Sequence, residues 1–142
     1  MDPKVLEQLA MPIKLSFPVI NVSTFELGRA QTVFTKIAEN VGKLFHLMSF
    51  KETINPPVIK KLIEDAKKQN LNGIVILDTY FFDRCKANPE TMPGLKASLP
   101  LLESEGINYI IAGKDVLNEE FVYHLDLPAM SHEEMLDLLR TC

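Results

Sequence analysis

The sequence predicts a three-layer α/β sandwich built on a mainly parallel five-stranded sheet. Three observations predict it. Five short apolar runs alternate with segments of helical period along the chain. The third run, Ile74–Leu77, is apolar without interruption, as suits a strand buried on both faces. Cap and turn residues stand at the junctions between these segments.

Each element can be justified in order. Asp2 and Pro3 read as N-cap and first helical residue of a short helix to about Ala10. Strand one is expected at Pro18–Thr24. Ser23 with Glu26 three residues on reads as a capping box, opening a helix to about Asn40 that Gly42 closes. Strand two is Leu44–Met48. After Asn55-Pro56-Pro57, the apolar positions Val58, Ile59, Leu62, Ile63 and Ala66 follow the helical period through Gln69. Strand three is followed by an irregular stretch, Tyr80–Pro93, expected as a mobile loop. A helix near Leu95–Ser104 comes next, with Pro100 starting it late or kinking it. Strand four is Asn108–Ala112; a short helical turn then leads to strand five, Phe121–Leu127. A second capping box, Ser131 with Glu134, opens a final helix to about Arg140. Two strand orders are open at this stage, the ATPase-type 5-1-4-3-2 and the flavodoxin-like 2-1-3-4-5.

At 142 residues the chain is long enough for one domain with a sizeable core, 1–142. A net charge of -4 speaks against a nucleic-acid-binding module. The densest basic cluster, Lys60, Lys61, Lys67 and Lys68, lies on an amphipathic helical pattern and reads as a solvated face. Cys85 and Cys142 stand far apart without metal-ligand spacing, which suggests reduced thiols. No apolar leader or membrane-length run is present, so a cytoplasmic protein with no membrane partner is expected. His46, His124 and His132 form no ligand set by spacing. No metal, no cofactor and no catalytic residue is expected.

The order of motifs resembles a known family. Gly73–Asp78 is similar to the Walker B strand of an AAA-family ATPase core. The tail Asn108–Leu139 resembles the end of that core: a sensor-bearing strand, a short helix, an edge strand ending in proline and an acidic helix. The front, Phe17–Arg29, resembles a narrower group, the AAA ATPases first noted as a conserved reading frame of chloroplast genomes and found also in bacteria. In these, the N-terminal half is a degenerate AAA-like domain in which a Thr-x-Glu-x-x-Arg pattern replaces the phosphate loop. The resemblance implies the 5-1-4-3-2 order. It also implies that the chain is the N-terminal part of a longer ATPase or a stand-alone relative. The partners it implies are a protein, a covalently following ATPase domain, or further copies of the chain.

The residues at the candidate site qualify that resemblance. Val22–Arg29 has neither the glycine-rich loop nor the lysine of a Walker A motif. Glu26 there would repel a triphosphate. Asp78 could hold Mg²⁺, but Thr79 follows it where AAA enzymes place the glutamate that positions water. Lys114 and Asp115 stand at the sensor position, so Asp78, Lys114 and Asp115 are the weak cofactor candidates. Arg29 is expected either to pair with Glu26 at i,i+3 or to contact a neighbouring domain. Tyr80 and Phe82 follow the Walker B-like strand and are the candidate partner anchors, with the loop Asp83–Pro93 as docking surface.

The expected function is a non-catalytic AAA-like domain serving assembly, regulation or partner recognition of an AAA-family ATPase. One alternative is a receiver-like phosphoacceptor domain with Asp78 as acceptor, which lacks the lysine such chemistry needs after strand five. The other is an atypical nucleotide- or metal-binding enzyme using Asp78, Asp115 and Glu26.

Overall fold

A computed structural model describes residues 3–127. In chain order the elements are α1 (Pro3–Lys14), β1 (Val19–Ser23), α2 (Leu27–Val41), β2 (Leu44–Leu47) and α3 (Pro56–Lys68). They continue with β3 (Ile74–Asp78), α4 (Phe81–Ala87), α5 (Thr91–Ser104), β4 (Ile107–Gly113) and β5 (Val122–Asp126). All five strands pair in parallel, in the order β2-β3-β4-β1-β5. Read from the other edge this is 5-1-4-3-2, so the ATPase-type order is the observed one and the flavodoxin-like order is not.

The two-residue period of each strand divides its side chains between two apolar layers. Ile74, Ile76, Tyr109 and Ile111 pack against Ile59 and Leu62 of α3 and Leu95 and Leu102 of α5. Val75, Leu77, Ile110 and Ala112 pack on the other face against Leu9 and Ile13 of α1 and Phe34 and Ile37 of α2. Every residue of β3 is buried, which is why its sequence is apolar without alternation from Ile74 to Leu77, before Asp78 ends it. Gly42 ends α2 in the left-handed region at φ 73°, its N–H donating to Ala38 O. Asn55 caps α3, its Oδ1 accepting from the Val58 N–H at 3.0 Å.

Five local expectations are corrected. α1 runs to Lys14 with Pro12 inside, because burial of Leu9, Ala10 and Ile13 on the sheet outweighs the local stop at Ala10. The Ser23–Glu26 capping box does not form: Ser23 ends β1, and the Oγ1 of Thr24 accepts the Glu26 N–H at 2.9 Å. The stretch Tyr80–Pro93 is not an irregular loop but α4 and the start of α5, held by burial of Phe81, Arg84 and Thr91. α5 also starts early, at Thr91, and runs through Pro100. The helical turn expected between β4 and β5 is reduced to one hydrogen-bonded turn, Val122 N–H to Glu119 O at 3.2 Å, and Asn21 Oδ1 accepts the Leu117 N–H at 2.9 Å, anchoring that segment directly to β1. The Asp2 cap, the Ser131–Glu134 capping box and the final helix lie outside the described residues.

Among the described residues, no helix is long and apolar enough to cross a membrane.

Candidate functional site

Parallel pairing brings the carboxyl ends of all strands to one edge, where open α/β sheets place their ligands. A cleft of about 250 Å³ opens there in front of β1 and β4. Thr24, Phe25 and Leu27 line it after β1, Thr79, Phe82 and Asp83 after β3, and Gly113, Lys114 and Asp115 at the end of β4 and just beyond it. Three sequence-predicted residues, Phe82, Lys114 and Asp115, therefore meet in one cleft. Asp78, Tyr80 and Arg29 are not among its lining residues.

Asp78 sits at the end of β3 with its side chain on the α4–α5 face, fully buried. Its Oδ1 accepts the Tyr80 N–H at 2.9 Å, the local backbone role open to a strand-end aspartate. Its Oδ2 accepts from both Arg84 Nη1 and the Tyr109 hydroxyl. The Arg84 guanidinium, also buried, donates from Nη2 to Ser49 O at 2.6 Å and from Nε to Phe50 O at 3.4 Å. One ion pair thus ties β3, α4, β4 and the loop after β2 together. Both carboxylate oxygens are engaged, so a metal ion at Asp78 would have to displace a buried arginine.

Arg84 is the residue that sequence reasoning missed. A buried carboxylate at a strand end requires a cation within reach, and Phe81-Phe82-Asp83-Arg84-Cys85 offers an arginine between side chains that pack into the core. That was the available signal.

Burial and then the adjacent Asp78 carboxylate push the Tyr109 phenol well above its ordinary value. Because its folded value is raised, the stability that the neutral phenol contributes is whole below pH about 10 and lost as the pH climbs through the folded value. Tyr109→Phe is expected to lower stability by about 1.5–3 kcal/mol, the range for a hydrogen bond to a charged group. It should also remove this alkaline loss, as urea unfolding on either side of pH 10 would show. Burial and the field of Asp78 likewise raise the Cys85 thiol, which makes it a poor nucleophile.

At the N-terminus of α2, where a phosphate would sit in a P-loop protein, Glu26 is the N-cap residue and its side chain makes no cap hydrogen bond. Thr24 takes the Glu26 N–H, and the Glu26 carboxylate accepts from Arg29 Nη1 at 3.0 Å. The i,i+3 pair forms as one of the two expectations for Arg29. The arginine side chain is only 3% exposed, leaving almost no guanidinium surface for a neighbouring domain.

Along the same sheet edge, apolar side chains stand exposed beside the charged Asp83, Lys114 and Asp115. Phe25 is 87% exposed after β1, Phe50 48% after β2, Tyr80 43% after β3 and Val116 52% after β4. Tyr80 and Phe50 meet edge to face, 6.0 Å between ring centres, so the loops after β2 and β3 share one aromatic ridge. Phe81 is buried in the core, and Phe82 is partly buried against it and against the cleft.

Near this edge His46 Nε2 and Glu52 Oε2 lie 2.8 Å apart, and Glu52 Oε1 accepts the Ser49 N–H at 2.9 Å. Burial works to raise the Glu52 carboxyl, but the Ser49 and His46 interactions outweigh it and hold it below its ordinary value. A depressed carboxylate adds stability above its unfolded value and loses it as the pH falls through the folded one. Glu52→Gln is therefore expected to have a lower urea midpoint than wild type at neutral pH, and the two midpoints should converge below about pH 4.

Among the described residues, no group of three His, Cys, Asp or Glu side chains is placed to hold a metal ion. The sequence matches no protein-family model and no curated protein.

Proposed function

We propose that this chain is a non-catalytic AAA-like domain that works through contacts, in assembly, regulation or partner recognition of an AAA-family ATPase. The observation that carries this reading is the character of the strand-end edge. Phe25, Phe50, Tyr80 and Val116 stand exposed in the loops after four of the strands, while Glu26, Arg29, Asp78 and Arg84 are paired within the domain. Exposed aromatics grouped at a functional edge fit protein recognition better than anion binding. The receiver-like alternative fares worse, because its strand order is not the observed one and the Asp78 carboxylate is enclosed.

Calorimetric titration of the chain with ATP and ADP, with and without Mg²⁺, tests the proposal. No saturable binding at millimolar nucleotide is expected. Saturable binding with Mg²⁺-dependent turnover would overturn it and bring the nucleotide-enzyme reading forward. Acetyl phosphate is likewise expected to leave Asp78 unlabelled. A positive arm uses Phe25→Ser, which should change stability by no more than about 0.5 kcal/mol. The same variant should weaken association with the ATPase domain by at least about tenfold.

A further inference from the structure

Opposite the β5 edge, the sheet ends in β2, which among the described residues pairs only with β3. The Leu44 N–H donates to Gly73 O and the Met48 N–H to Leu77 O, each at 2.9 Å. Strand alternation therefore turns the backbone N–H and C=O of Phe45 and Leu47 outward, to the open edge. The strand Leu44–Leu47 contains neither a proline nor a lysine to blunt that edge. Beside it runs a groove of about 530 Å³ between β2 and α3, lined among others by Phe45, His46, Val58, Lys61, Leu62 and Asp65. The last four fall on one stripe of α3, at i, i+3, i+4 and i+7.

We propose that this edge joins two copies of the chain. β2 of one copy pairs antiparallel with β2 of the second across a twofold axis at His46, giving one continuous sheet with the two α3 helices side by side and antiparallel. Phe45 then faces Leu47 of the second copy, and each such pair exchanges both backbone hydrogen bonds. The groove on each side is filled by the α3 stripe of the other copy, the half-buried Val58 supplying apolar contact.

Charge selects a second copy as the occupant. Lys61 and Asp65 lie one turn apart on the stripe, and neither is ion-paired among the described residues. An isologous contact sets each residue against its complement. Here Lys61 meets Asp65 of the second copy and Asp65 meets Lys61. A uniformly acidic or basic partner would match one of these charges and oppose the other.

Sedimentation equilibrium of the full chain tests this, with circular dichroism to confirm folding. The wild type is expected at twice the 16.1 kDa chain mass at high micromolar concentration. Leu47→Pro removes an outward N–H while sparing the bonds to β3, and should give a folded monomer. Lys61→Asp alone sets like charges together and should weaken the dimer at least about tenfold, while Lys61→Asp with Asp65→Lys should restore it. A wild type that stays at the chain mass at every concentration overturns the proposal. So does a dimer that survives Leu47→Pro, or one indifferent to Lys61→Asp. Should Leu47→Pro fail to fold, the exposed charge pair decides alone. A monomeric wild type that binds an unrelated extended peptide at this groove would likewise reject a second copy as occupant.

Discussion

Arg84→Ala is expected to destabilise the domain by about 3–5 kcal/mol, because it leaves the fully buried Asp78 carboxylate without its counter-charge. The same substitution abandons the Ser49 and Phe50 carbonyls, which hold the loop after β2 in place through the guanidinium. Urea unfolding with the midpoint and slope both fitted would measure the cost. Two controls separate the cause. Asp78→Asn with Arg84→Met removes both charges at similar volume and should recover most of the loss, since an intact buried pair adds little over a neutral substitute. Phe82→Ala, at an α4 residue that lines the cleft, should not show this charge-dependent recovery. A loss below about 1 kcal/mol for Arg84→Ala would mean that Asp78 finds another partner, and the metal reading of Asp78 would have to be reopened.

Gly94→Ala should be nearly as costly, for a steric reason. A Cβ on Gly94 would stand 2.1 Å from the carbonyl oxygen of Ile54 and 3.3 Å from its carbon. Both are backbone atoms, and Ile54 is itself buried, so neither can swing aside. α5 must move away from the segment that precedes α3, opening the core layer that Leu95 and Leu102 fill. The expected loss is about 3 kcal/mol, at the upper end for overpacking. Gly28→Ala is the matched contrast. A Cβ there meets nothing within 4 Å. Thermal unfolding should show that variant unchanged or stabilised by about 0.5 kcal/mol. Equal behaviour of the two variants would show that α5 can shift freely at Ile54.

What the sequence disclosed and what it hid divide along a physical line. Parallel strands buried on both faces leave continuous apolar runs, so Val19–Ser23, Ile74–Asp78 and Ile107–Gly113 could be read locally to within a residue or two. Gly42 and Asn55 marked helix ends because a left-handed residue and an N-cap are local demands. The contents of the site were hidden because they depend on distance in the chain. Arg84 reaches back to Ser49, Tyr109 reaches Asp78 from β4, and Asn21 binds Leu117. None of these leaves a spacing that a single sequence displays. α4 was hidden for the same reason: Asp83, Arg84 and Lys86 look like a solvated loop until the Asp78 partner of Arg84 is known. The capping-box error was narrower. Ser23 and Thr24 are adjacent hydroxyls, and which of them bonds Glu26 turns on where β1 ends.

The place of β1 in the sheet has a consequence for how the chain acquires its structure. β1 precedes β2 and β3 in the chain, yet its two neighbours are β4 and β5, with Val19 in register with Tyr109 and Val122. Closing loops of that length comes before any contact compensates for it, which makes folding slow relative to a helical domain of the same size. During synthesis, residues up to β3 can assemble only the β2–β3 pair, and β1 must wait with Ile20 and Val22 uncovered until β4 and β5 emerge. A nascent chain paused before Val122 therefore presents an apolar strand with one side unfilled, a natural point for a chaperone to bind.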